Sequence, residues 1–351
     1  MWPTAGSAGR VAVGAMIAAA LALLTACTGG PRPPAATGPS SPAAAASATS
    51  AAPPSASTRR PAAAAAASVV GRYQVGERRL SFTEPARDGP AGQRLGPRTL
   101  ATTVWYPRSG SGPAAGPRPL LVFAPGFMQC SGPYSALLEA WASAGYVVAA
   151  VDFPRTSCHE GAAAHEPDLV NQPRDVTYAI TRLLALNARS HDLFSGLLNR
   201  REIGAAGQSD GGDTVAALAA NGCCIDSRLA AVAVLSGAEW PPMPGRYFPR
   251  GRRTPPMLFV QGSSDVINPP WTSVQLYRTD RSRARYYLDL LGADHMSPYT
   301  GPNATERLVV RVTLAFFDRY LRGQAGALDA MTRAGNVSGT AILVGGGQPP
   351  P

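Results

Sequence analysis

The chain has no lysine: all 32 of its basic residues are arginine. They outnumber the 22 acidic residues and leave a formal net charge of +10. A basic balance suits an anionic partner. Yet the arginines are scattered, with small clusters only at Arg250, Arg252 and Arg253 and at Arg281, Arg283 and Arg285. No nucleic-acid-binding motif accompanies them, so a solvated surface is expected and a nucleic-acid partner is not. Cysteine and histidine are also sparse, at five and four. The cysteine spacing matches no zinc motif. Neither a metal nor an organic cofactor is expected. No internal repeat is present. The one long apolar stretch near the N-terminus, residues 11–24, is too short for a comfortable membrane span.

That stretch reads instead as part of a targeting segment over residues 1–27, with Arg10 as its positive flank. Leu24-Thr25-Ala26-Cys27 looks like a bacterial lipobox, which makes Cys27 the lipidated first residue of the mature chain; an ordinary secretory peptide is the alternative. Residues 28–68 are almost wholly Ala, Pro, Ser, Thr and Gly. Such a composition cannot bury enough apolar surface to order itself and predicts an extended linker. Residues 323–351 are again Gly/Ala-rich, end in Pro-Pro-Pro and predict a flexible tail, in which 340–344 has the composition to pack locally. The expectation is an exported protein, held at the outer face of a bacterial membrane by its lipid alone or secreted, with a single domain over 69–322. It is expected to be a monomer.

Within that domain, apolar runs alternate with amphipathic ones. Residues 78–82 and 99–106 have the composition of edge strands, whereas 120–124, 146–151, 203–206, 229–235, 257–260 and 285–290 read as further strands, most of them continuous apolar runs. Residues 134–143, 173–188, 213–220 and 306–322 read as helices. Alternation of this kind predicts an α/β fold whose central sheet is mainly parallel with helices on both faces. Ligands of such sheets bind beyond the carboxyl ends of the strands, so the polar residues there carry the function.

One of those ends is Gly207-Gln208-Ser209-Asp210-Gly211, between an apolar strand and a helix. Strand, sharp turn, serine and helix form the setting of a nucleophile elbow. The turn strains the serine and crowds the positions two residues either side, which favours glycine at both. Two more strand ends carry Asp265 and His295, giving the order Ser, Asp, His along the chain. A serine hydroxyl is a weak nucleophile at neutral pH. His295 is placed to take the Ser209 proton, and Asp265 to fix the imidazole tautomer. Glu239 also follows a strand and is the rival acid; Asp294 reads as a cap for the segment after it. His159, His165 and His191 stand too early in the chain for the base. The oxyanion hole is expected from the backbone N–H groups of Phe127 and Asp210. Cys130 and Cys158 each follow a strand end and are expected to pair near the mouth of the site, which an oxidising compartment permits. Cys223 and Cys224 are candidates for a separate vicinal bridge.

On these residues the chain resembles the α/β-hydrolase superfamily. It is similar to the enzymes related to dienelactone hydrolases and more closely to cutinase-like polyester hydrolases, and it is also similar to plasma-type platelet-activating-factor acetylhydrolases and chlorophyllases. The segments that carry the resemblance are Leu121-Val122-Phe123-Ala124-Pro125-Gly126-Phe127, Gly207 to Gly212, Gln261-Gly262-Ser263-Ser264-Asp265 and Ala293-Asp294-His295. The resemblance implies a serine esterase acting through an acyl-enzyme, with Phe127 and Trp240 as aromatic walls of the acyl site. Gln208 and Asp210 depart from it: polyester hydrolases typically carry His or Trp before the serine and Met after it. The proline- and arginine-rich insert at 241–256 is a candidate cover for the site. Dienelactone hydrolases proper use a cysteine nucleophile, so their own reaction is not implied. Two other readings stand beside the esterase: a peptidase of the same fold, and a non-catalytic surface-binding lipoprotein that keeps the fold.

Overall fold

The computed structural model describes residues 71–346 and 348, apart from 91 and 283. The expected signal segment with Cys27 and the expected linker over 28–68 lie outside the described residues. Among the described residues no helix is long and apolar enough to cross a membrane.

The chain builds β1 (Gln74–Glu84), β2 (Arg98–Ser109), β3 (Arg118–Ala124), α1 (Ser135–Ser143), β4 (Val147–Asp152), α2 (Gln172–Asn187), β5 (Leu198–Gln208) and α3 (Asp210–Ala220). It continues through β6 (Leu229–Leu235), β7 (Met257–Gly262), α4 (Trp271–Thr279), β8 (Arg285–Leu290), α5 (Ala304–Tyr320), α6 (Ala327–Gly335) and β9 (Ala341–Gly345). The strands lie in one sheet in the order β1-β2-β4-β3-β5-β6-β7-β8-β9. A two-residue strand, Gly112–Pro113, pairs with β2 beside this path. The strands from β4 through β3, β5, β6 and β7 to β8 run parallel. Antiparallel pairs flank them: β1 with β2 and β2 with β4 on one side, β8 with β9 on the other.

The inner stretches of the parallel strands, such as Leu120–Ala124 of β3 and Met257–Val260 of β7, are apolar and buried because helices cover both faces there. On one face α2, α3 and α4 bury Val176, Ile180, Leu183, Val215, Leu218 and Leu276 against the sheet. On the other, α1, α5 and α6 bury Leu138, Trp141, Val309, Phe316, Phe317 and Met331. The Trp141 indole N–H also donates to Thr313 Oγ1 at 2.9 Å, which ties α1 to α5. Asn303 starts α5 by accepting the Glu306 N–H at 2.8 Å, a cap worth about 1 kcal/mol.

Three expectations are corrected. First, β2 is not an edge strand: it pairs with β1 on one side and β4 on the other, and only β1 takes the edge. Its alternating pattern reflects the antiparallel end of the sheet rather than an open edge. Second, the region expected as a flexible tail folds. Ala327–Gly335 forms α6, and Ala341–Gly345 pairs with β8. Packing on an existing sheet edge supplies the burial that such a short Gly/Ala-rich segment lacks alone. Third, not all of the arginines are solvated. Arg87 and Arg98 are buried. Arg98 reaches Asp168 Oδ2 at 2.7 Å and Asp175 Oδ2 at 2.6 Å, and Arg87 reaches Glu84 at 2.7 Å and Asp175 Oδ1 at 2.9 Å. This network clamps β1 and β2 to the start of α2 and to the short 3-10 helix Glu166–Asn171 before it.

Candidate active site

The elbow forms where β5 ends and α3 begins. Ser209 is the N-cap of α3, at φ 56° and ψ −126°. A positive φ strains a residue with a side chain and persists only where its surroundings fix it. The glycines explain how. A Cβ on Gly211 would overlap the carbonyl oxygen of Ala124, and one on Gly207 would overlap that of Gly211. The small residues let α3 press against the ends of β3 and β5, and every residue of α3 is buried.

His295 lies beside this turn, because the Gln208 amide immediately before Ser209 contacts it. Gln208 Nε2 is 3.2 Å from His295 Nε2 and donates to the His295 carbonyl at 3.0 Å. The other ring nitrogen, Nδ1, is 2.7 Å from Asp265 Oδ2. Both side chains are buried, at 6% and 3% exposure, so little water competes for the pair. Asp265 Oδ1 accepts the backbone N–H groups of Ile267 and Asn268 at 3.0 and 2.9 Å, and Oδ2 also accepts from Gln261 Nε2 at 2.9 Å. Burial works against its charge, but His295 and these backbone donors outweigh it and hold the carboxyl below the usual aspartate range. A neutral imidazole with Nδ1–H on Asp265 leaves Nε2 as an acceptor. Among the described residues Ser209 Oγ makes no hydrogen bond.

The rival acid is elsewhere. Glu239 accepts from Gln275 Nε2 at 3.1 Å and makes no hydrogen bond to the ring. Asp294 caps the chain after it, accepting from the Met296 and Ser297 N–H groups at 2.8 and 2.7 Å. His159 is exposed, 3.6 Å from Asp152 Oδ2.

The two N–H groups expected as oxyanion donors lack backbone partners among the described residues. Asp210 is the first residue of α3, so its N–H has no partner within the helix. Phe127 follows Gly126 at the end of β3, and among the described residues its N–H donates to no acceptor. Gly126 itself sits against Ser209: a Cβ there would come within 3.1 Å of the serine Cβ. The Asp210 side chain is buried, and no described residue hydrogen-bonds its Oδ2. Burial, with the charge of Glu166, pushes this carboxyl up to about 8. Asp213, one turn along, is raised by burial and by Asp210. Burial thus favours the neutral form of the Asp210 carboxyl in the folded chain.

The two aromatic walls expected of the acyl site differ in their surroundings. Phe127 is half-buried on the loop after β3. Trp240 is half-buried too, and packs on a small cluster of Leu169, Ala217 and Met243 together with Tyr247, the last two from the insert. The insert therefore lies against α3 and the 3-10 helix. Two disulfides are present: Cys130 with Cys158, in the segments after the ends of β3 and β4, and Cys223 with Cys224 after α3. Sequence reading missed Tyr134 and Gln261, which donate to Gln208 Oε1 and to Asp265 Oδ2. Tyr134 read only as a helix start; Gln261 had a signal, its place directly before the Gly-Ser-Ser-Asp turn.

A protein-family model described as PETase, PET hydrolase-like, matches residues 50–328. Among solved structures the chain is similar to a ferulic acid esterase from Streptomyces cinnamoneus, with 22% sequence identity and a TM-score of 0.55. The likeness covers 75% of this chain and 94% of that one, and shows a shared α/β-hydrolase fold. No curated protein matches the chain.

Proposed function

The chain belongs to the PET hydrolase-like family of ester hydrolases, and from that premise we propose that it cleaves carboxylic esters with Ser209 as nucleophile, His295 as base and Asp265 as the acid that orients it. The observation that carries the reading is the 2.7 Å contact between Asp265 and His295 Nδ1, beside a strained serine at a helix N-terminus. His295 Nε2 takes the proton as Ser209 Oγ attacks the ester carbonyl. The negative oxygen that develops is stabilised by the N–H groups of Phe127 and Asp210. The tetrahedral intermediate then expels the alcohol, which receives the proton from His295 and leaves an acyl-serine. Water, deprotonated by the same imidazole, releases the acid and restores Ser209. A fluorophosphonate probe is expected to label the wild-type protein once per chain, with labelling and p-nitrophenyl acetate hydrolysis both lost in Ser209→Ala. An unlabelled but folded wild-type protein would leave a non-catalytic protein of the same fold.

Phe127 and Trp240 are assigned to the acyl side of the site. Truncating a wall costs about 0.8 kcal/mol for each methylene that loses contact. Trp240→Ala is thus expected to reduce kcat/KM for a hexanoyl ester well beyond its effect on an acetyl ester. Equal losses on the two, measured side by side, would assign Trp240 to the cluster of Leu169, Ala217 and Met243 alone.

Export and anchoring complete the proposal. The lipobox-like Leu24-Thr25-Ala26-Cys27 and the two disulfides both fit a protein matured outside the reducing cytoplasm. Cys27→Ala is expected to move the protein from the membrane fraction to the soluble one or to block its maturation. Unchanged membrane association in that variant would remove the lipid anchor from the reading.

A further inference from the structure

Gln208 stands directly before the nucleophile and is fully buried, yet it is polar. A buried amide needs partners for its oxygen and both of its hydrogens. The structure supplies all three. Tyr134 Oη donates to Gln208 Oε1 at 2.7 Å. Gln208 Nε2 reaches the His295 carbonyl at 3.0 Å and His295 Nε2 at 3.2 Å. The far end is anchored on the proposed oxyanion loop, where the Gly126 N–H lies 3.4 Å from Tyr134 Oη.

The direction of every link follows from its neighbours. The Gly126 N–H can only donate, so Tyr134 Oη accepts it and donates its own O–H to Gln208 Oε1. Burial pushes the Tyr134 hydroxyl far up, so it stays protonated and remains a donor. With Oε1 engaged, the Gln208 NH₂ group faces His295. A flipped amide would set two donors together at Tyr134 and two acceptors together at the His295 carbonyl. One Gln208 hydrogen goes to the carbonyl oxygen, which accepts in every protonation state. The other goes to Nε2, which accepts because Nδ1–H is turned to Asp265.

We infer that Gln208, itself aligned by Tyr134, is a positioning residue for His295, coupling the oxyanion loop to the base through one hydrogen-bonded relay. It holds the backbone of the His295 loop and the ring at once. Asp265 grips one ring nitrogen and Gln208 the other, which fixes the tautomer from both sides. Nε2 has a single lone pair, so its contact with the Gln208 N–H gives way before it can accept the serine proton, while the bond to the carbonyl persists. The ring is thereby freed toward substrate without the loop coming loose.

The inference rests on His295 being the base, and the test separates the two. Gln208→Met keeps the volume and removes all three bonds; Tyr134→Phe removes only the hydroxyl. The prediction for Gln208→Met is a kcat about tenfold lower on p-nitrophenyl acetate at unchanged KM, within the range that small misplacements of a reacting group cost. Tyr134→Phe should lower kcat less, and should change nothing further in the Gln208→Met background. In ¹⁵N spectra of histidine-labelled protein the Nε2 resonance of His295 should move in Gln208→Met while Nδ1 keeps its bond to Asp265. Additive effects of the two substitutions, a loss expressed in KM alone, or an unmoved Nε2 resonance would each overturn the relay. Were His295→Ala to retain full turnover, the base assignment itself would fall; loss in His295→Ala with full activity in Gln208→Met would overturn the relay alone.

Discussion

Asp265→Asn is expected to lower kcat on a simple ester by about 10⁴ and to leave the fold in place. The reason lies in how the carboxyl is held. Its Oδ1 accepts two backbone N–H groups, from Ile267 and Asn268, and Asn retains that oxygen. The new NH₂ then occupies the position of Oδ2, facing His295 Nδ1 and the Gln261 amide. Two donors cannot share that contact with an Nδ1–H. The imidazole shifts to the other tautomer, with its proton on Nε2, and no longer has an acceptor for the serine proton. Glu239→Gln touches only Gln275 and should cost far less. A larger kcat loss in Glu239→Gln than in Asp265→Asn would transfer the acid's role to the earlier strand.

Arg98→Met should destabilise the protein by about 3–5 kcal/mol in urea unfolding at pH 7, because it leaves buried carboxylates short of a counter-charge. Asp175 is fully buried, and burial pushes its carboxyl up to about 6 even with Arg98 and Arg87 beside it. The sign of the pH effect follows. A raised carboxyl favours its neutral form in the folded state, so its charge is a cost that appears as pH rises through that range. Without Arg98 the cost at pH 7 grows, and acidification toward pH 5 should recover part of it as Asp175 takes up a proton. Arg79, paired with Glu77 on the surface, provides the contrast: Arg79→Met should change stability by less than about 1 kcal/mol. A loss as small in Arg98→Met would mean that the network is no more than a surface pair in its effect.

The contrast between these two arginines marks how far the sequence could be read. Composition cannot distinguish a buried arginine from a solvated one, since what buries Arg98 is its pairing with Asp168 and Asp175, 70 and 77 positions away. The parallel strands were legible for the opposite reason: where helices cover both faces a strand is apolar, as Met257–Val260 of β7 are, all buried. The elbow was legible because its backbone strain restricts which residues fit. The order Ser209, Asp265, His295 followed from the rule that function sits at strand ends, and the structure brings the last two into direct contact.

The remainder was set by long-range partners. Gln208 was visible as a departure before the serine, but its bonds to Tyr134 and His295 span 74 and 87 positions. No local pattern announces them. The helix α4 opens after two prolines with an exposed Trp271 and carries only a weak apolar stripe, so it left little periodic signal. The last helix and strand gain their order from the sheet they join, and a Gly-rich segment read by itself reports only its own weak propensity.

That final strand also changes what the sheet presents to other copies of the chain. Pairing of β9 along β8, from Tyr286 with Gly345 to Leu290 with Ala341, occupies the side of the sheet where the parallel strands would otherwise end. Parallel strands are the most apolar part of the molecule, and a bare one exposes a row of unpaired N–H and C=O groups that any extended segment can join. The closing residues therefore serve as a selvage: they cover the last parallel strand and leave a five-residue antiparallel strand at the border in its place, and a protein shortened to the end of α5 would keep its proposed catalytic groups yet present the bare side of β8 to other chains.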